Sequence, residues 1–180
     1  MRHHKKQTVE PTRSRKLHLL LRGCQHQHFF HVDELIELLD VLPDSHLAGV
    51  QYIEFKANTA RRGGAYVQNT VNWYQLNQPE HGYIPYRPKR YIEIYRCQSK
   101  EQLQHAMYHE IAHFVYFQVI SARQRKDWVT NIYPGSSFVS QYAKTNAAED
   151  FAESYVCYLG NGSMLQRVSP QKYHFLHLLF

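Results

Sequence analysis

The chain has 180 residues, 43% apolar and 20% charged, which are values of one folded domain with a real core rather than a disordered tract. A formal net charge of +6 and a pI near 9.2 favour anionic partners, nucleic acid or an acidic substrate among them. Three widely spaced cysteines, Cys24, Cys97 and Cys157, form no C-x-x-C pair, so a cysteine zinc ribbon is excluded and a reducing compartment is indicated.

Residues 1–22 are dense in Arg, Lys and His and read as a basic N-terminal arm, with a folded domain over 23–180. The arm is expected to be mobile at its tip and to dock through Leu17–Leu21, a run far too short to span a membrane. No signal peptide is visible, which points to the cytoplasm, although specialised export leaves no mark in a sequence. From His31 to Val41 the spacing of Leu35, Ile36, Leu38 and Leu39 predicts a helix ending near Pro43. Val50–Phe55 alternates as a strand does, and Arg61-Arg62-Gly63-Gly64 reads as a turn. Ala65–Leu76 predicts a second, bent strand, Asn77–Pro88 a loop, and Arg90–Arg96 a third strand.

The segment that follows organises the rest. Ser99 is a helix N-cap, Glu101 suits the first turn, and no Gly or Pro interrupts residues 99–119. Within this helix lies His109-Glu110-Ile111-Ala112-His113, the pattern H-E-x-x-H. Residues four apart share a helix face, so both imidazoles can converge on one ion, with zinc the natural choice. Glu110 is then placed to act as general base on a water at an open metal position. Leu103, Met107, Ile111 and Phe114 fall on the other side and predict the buried stripe. His105 extends the histidine face, but it stands about 12 Å along the axis from His113, too far to share an ion. The 105/109 pair has Ala106 where the base is needed, so 109/113 is the metal pair and His105 lies at the surface or behind the ligands.

Downstream, Ser121–Trp128 reads as a helix with a basic face and Tyr133–Ser137 as a turn. Residues 146–160 predict an amphipathic helix on which Glu149 and Glu153 share a face, either as a metal-directed pair or as ordinary acids at a helix start. Gly160-Asn161-Gly162 is expected to stop it, and Pro170 to open a last helix whose Tyr173, Phe175, Leu176 and Leu179 cap the core.

Together, H-E-I-A-H and T-N-A-A-E-D-F-A-E resemble the zinc site of gluzincins, the group that holds anthrax lethal factor and the Pro-Pro endopeptidases. The motif-level likeness covers about residues 99–160. It implies zinc held by His109, His113 and Glu149, a supporting carboxylate at Glu153, and a catalytic tyrosine seven residues before the ligand glutamate, at Tyr142. Phage-repressor-cleaving and stress-regulatory zincins are a poorer match, because they carry E-x-x-A-N-x-F-A where this chain has Glu149-Asp-Phe-Ala-Glu. The implied protein is α+β: a single zincin-like domain with a small N-terminal sheet, an active-site helix and a C-terminal helical subdomain. Its implied activity is zinc-dependent endopeptidase, acting on a peptide or protein laid along a strand. Two other classes stay open: a basic nucleic-acid-associated protein acting through its N-terminal arm, and a zinc site kept for structure or regulation.

Overall fold

The computed structural model describes residues 13–56, 60–68, 89–135 and 137–180. Among these, α1 (Arg13–Leu20) leads into β1 (Leu21–Arg22), and a 3-10 turn at Cys24–His26 precedes α2 (Val32–Asp40) and the short α3 (Asp44–Leu47). Then come β2 (Ile53–Phe55), β3 (Gly64–Gln68), β4 (Arg90–Ile94), α4 (Lys100–Phe114), α5 (Ala122–Asp127), α6 (Ala147–Val168) and α7 (Pro170–His177). The protein is therefore mixed α and β: among the described residues, seven helices and one open four-stranded sheet. No helix among them is long and apolar enough to cross a membrane.

The sheet runs in the order β1-β2-β4-β3. β1 and β2 are parallel, β2 and β4 are parallel, and β3 lies antiparallel on β4 with Gly64 opposite Ile94 and Gln68 opposite Arg90. Alternation buries Ile53, Phe55, Ile92 and Ile94, and α4 covers that face with Leu103, Met107 and Ile111, all nearly inaccessible. The apolar stripe read from the helix periodicity is thus the stripe that packs. Ladder bonding begins before β2 proper: Gln51 N donates to Arg90 O and Ile92 N to Tyr52 O. β3 starts at Gly64, inside the expected turn, and residues 69–88 of the expected strand and loop lie outside the described residues.

In the segment Arg13–Arg22, β1 pairs with β2 and Leu17 is buried; residues 1–12 lie outside the described residues. The helix breaks inside the expected stop at Gly160–Gly162, at the non-helical Asn161 (φ −156°, ψ 69°), but a second helical segment, which the sequence did not announce, then runs on to Val168. The physical reason is local capping. The Asn161 side-chain oxygen accepts from Met164 N at 3.1 Å and Ser163 Oγ at 3.0 Å, so a second helical segment starts where the first breaks.

α6 packs across α4 and carries α7 on its other side. A charged pair sits inside this layer. Lys172 of α7 donates to Asp150 Oδ1 at 2.5 Å and to Ser137 O at 2.9 Å, with both side chains fully buried. Burial opposes both charges, raising the Asp150 pKa and lowering that of Lys172. Position 172 lies one turn before the buried Leu176, so helix periodicity places it on the inner face, but a lysine there does not announce itself as interior.

Candidate metal centre

α4 begins as expected, with Ser99 Oγ accepting from Gln102 N at 3.2 Å. α6 begins on Asn146, whose side chain accepts from Ala148 N and Glu149 N at 2.9 and 3.0 Å. That cap sets Glu149 in the first turn and Glu153 one turn later. The two helices pass in opposite directions, since Glu149 meets His109 and His113 while Glu153 meets His105 and His109.

Three atoms converge. His109 Nε2 and His113 Nε2 lie 3.1 Å apart, and Glu149 Oε2 lies 3.0 Å from the first and 3.2 Å from the second. Ligand atoms on a tetrahedral zinc with bonds of about 2.0–2.1 Å stand about 3.3 Å apart. The triangle is close to one face of that tetrahedron. Glu149 Oε2 is buried yet makes no well-aligned hydrogen bond among the described residues, despite its closeness to both imidazoles. The three atoms are aimed at a common point rather than at one another. The donor set thus fits a borderline-soft divalent cation.

The electrostatics agree. Burial works against a charged His109, but the Glu149 and Glu153 carboxylates overcome it and hold the ring's pKa up at about 9. Burial raises the Glu149 pKa as well, and the two imidazoles outweigh it, bringing the carboxyl down to about 2. Such a pocket demands positive charge. Glu153 Oε1 lies 2.9 Å from His109 Nδ1, the ring nitrogen facing away from the convergence point, and fixes that ring's orientation. It also lies 3.2 Å from His105 Nε2, so His105 reaches the ligand shell through Glu153. His105, His109 and Glu153 are therefore a second, more open group able to hold a metal, beside His109, His113 and Glu149. His113 Nδ1 is buried with no hydrogen-bond partner among the described residues, so its ring is held by packing, near-parallel to Phe117 at 6.3 Å.

Glu110 is buried beside the histidines. Desolvation raises its pKa, against the pull of His109, His113 and the Tyr66 amide. Tyr66 N donates to Glu110 Oε2 at 2.6 Å, tying the carboxylate to the edge of β3. Gly64 completes the fit: a Cβ there would stand 2.5 Å from Glu110 Cγ and 3.1 Å from Oε1. The sequence reading saw in Gly64 only part of a turn. The signal that could have found it was a glycine opening a strand, which marks close approach of another group.

Tyr142 opens a 3-10 turn, Tyr142–Lys144, held by Ser140 Oγ accepting from Ala143 N. Its ring centroid is 5.8 Å from that of His109 and its side chain is half exposed. Burial, then the Glu149 and Glu110 carboxylates, raise the phenol's pKa, which keeps its proton in place as a donor. All five residues singled out for chemistry, His109, Glu110, His113, Tyr142 and Glu149, line one cavity of about 460 Å³. A neighbouring cavity of about 640 Å³ shares Gly64, His109, Glu110 and Tyr142 with it. Comparison with protein-family models, with curated proteins and with solved structures gave no match to the chain.

Proposed function

We propose that the chain is a zinc-dependent endopeptidase of the zincin type, with His109, His113 and Glu149 as ligands. The observation that carries this reading is the near-equilateral triangle of two imidazole nitrogens and a carboxylate oxygen, with a buried glutamate and a tyrosine on the same cavity wall. The likeness of the H-E-x-x-H and Glu149/Glu153 motifs to gluzincins supports it independently.

When bound, zinc would supply a Lewis acid that polarises a carbonyl and lowers the pKa of a water to about 7. The chain's own groups would do the rest. Glu110, its pKa raised by burial, takes the proton of the attacking water and delivers it to the leaving amine. Tyr142 donates a hydrogen bond to the developing oxyanion, an effect worth about 3 kcal/mol for a well-placed donor. Glu153 holds the His109 ring so that Nε2 faces the ligand triangle.

The test is metal content by mass spectrometry together with hydrolysis of a peptide library. The reading expects one tightly bound zinc per chain, turnover by the native protein, zinc without turnover in Glu110→Gln, and neither in His113→Ala. Native protein that takes up no zinc when it is supplied, or Glu110→Gln that cuts at the native rate, would overturn it.

A further inference from the structure

The candidate cleft has two chemically unlike halves, joined at Gly64, His109, Glu110 and Tyr142. One half is walled by Tyr66 and Phe117 and is completed by Ala65 and Ala148. Phe117 is 42% exposed, a high figure for a phenylalanine at the rim of a cavity, and its ring lies near-parallel to Tyr66 at 6.4 Å. The other half has no phenylalanine and no tyrosine beyond the shared Tyr142, and Arg62, Gln98, Glu101, Gln102 and His105 line it.

The direction of the chain gives these halves meaning. β3 runs alongside α4 in the same sense: Gly64 meets Glu110, Tyr66 meets Phe114 and Phe117, and Gln68 accepts from Gln118 Nε2 at 3.0 Å. Because Gly63 O accepts from Tyr95 N, the peptide groups of Gly63 and its alternates face β4, and those of Gly64, Tyr66 and Gln68 face outward. Among the described residues no strand pairs with that outer edge. The Tyr66 amide already serves Glu110, which leaves its carbonyl and the outward groups of Gly64 and Gln68 to bind an added strand. Antiparallel addition is the more stable geometry. It sends an incoming peptide from the Phe117 end towards the Arg62 end, across the shared wall.

Resting on the peptidase reading, we propose that the cleft selects an extended peptide with an aromatic or large apolar residue on the acyl side of the cleaved bond. That residue sits against Tyr66 and Phe117. The residue on the leaving-amine side enters the cavity of Arg62, Gln98, Glu101, Gln102 and His105. Burial of a ring on the aromatic half favours Phe over Ala at the acyl position by about tenfold or more in kcat/KM.

The experiment uses the full chain loaded with zinc and a set of decapeptides differing only in Phe, Ala or Asp at one position. Cleavage sites are mapped by mass spectrometry, and kcat/KM is measured for the native protein and for Phe117→Ala. Binding of the same peptides to Glu110→Gln is followed by fluorescence anisotropy. The expected result is cleavage after Phe, with a Phe-to-Ala ratio of about ten that falls towards one in Phe117→Ala of unchanged zinc content. Cleavage with no acyl-side preference, or with Phe on the leaving-amine side, overturns the proposal and leaves the peptidase reading standing. Phe-selective, Phe117-dependent binding without any cleavage supports the aromatic seat while removing the peptidase activity. Neither binding nor cleavage overturns both.

Discussion

Substituting Gly64 by alanine asks whether the edge strand positions Glu110, the proposed general base. The added Cβ would stand 2.5 Å from Glu110 Cγ and 3.2 Å from Cδ, closer than carbon atoms tolerate. Glu110 is buried and Cγ lies near its own backbone, so the side chain cannot swing clear as the tip of a long one could. Either the carboxylate moves or β3 lifts, and in both cases the 2.6 Å bond from Tyr66 N is lost. A displacement of about 1 Å at a reacting group costs about a hundredfold in rate, which corresponds to about 2.7 kcal/mol. None of the three proposed ligands is touched, so zinc content is expected to stay at the native level while kcat/KM falls about a hundredfold. Gly63→Ala is the control. Its φ of 82° strains an alanine by about 1–2 kcal/mol, yet its Cβ meets nothing within 4 Å. That variant melts at a lower temperature but keeps the native rate well below its Tm. Native-rate hydrolysis by Gly64→Ala, with the protein folded and zinc bound, would refute the reasoning.

Further expectations follow from the same geometry. Glu153→Gln weakens the hold on the His109 ring and lowers zinc affinity by about 10–100-fold in a competitive chelator titration; unchanged affinity would separate Glu153 from the ligand shell. His46 is buried against Tyr155, its Nδ1 2.8 Å from the phenol, and burial brings its pKa from 6.5 down to about 4. The unfolded chain therefore binds the extra proton first. The stability it guards is complete above about pH 6.5 and is lost as pH falls towards 4, by up to about 3 kcal/mol. Urea unfolding of His46→Phe should show that acid-side loss reduced between pH 6.5 and 4, and an unaltered pH slope would count against it. Lys172→Met strands the buried Asp150 carboxylate and costs about 3–5 kcal/mol, most of which returns when Asp150→Leu is added; a single variant within about 0.5 kcal/mol of native would contradict this.

Local pattern carried much of the fold. The Ser99 cap, the stripe of Leu103, Met107 and Ile111, and the shared face of Glu149 and Glu153 are properties of one helix each, and one helix is what periodicity reads. The coarse mixture of strands and helices followed from the same signals. What stayed hidden depends on two elements meeting. Gly64 matters because β3 passes over Glu110, and Lys172 because Asp150 waits inside the opposite helix. The restart after the break at Gly160–Gly162 is different in kind. Glycines there weaken the helix, but the Asn161 side chain restarts it, and composition weighs the glycines more than the cap.

The crossing of α4 and α6 also bears on how an ion leaves. His109, His113 and Glu149 are mostly enclosed, and their donor atoms come from helices separated in the chain by residues 114–148. An ion bound between them faces the open cleft on one side, and it loses its carboxylate partner when the first turn of α6 lifts from α4. Lifting that turn also frees the intervening stretch from its anchor at one end. Metal exchange and nicking of 114–148 by an added protease are then two views of one local opening, so the lifetime of the bound ion becomes a clock for the least stable contact in the site.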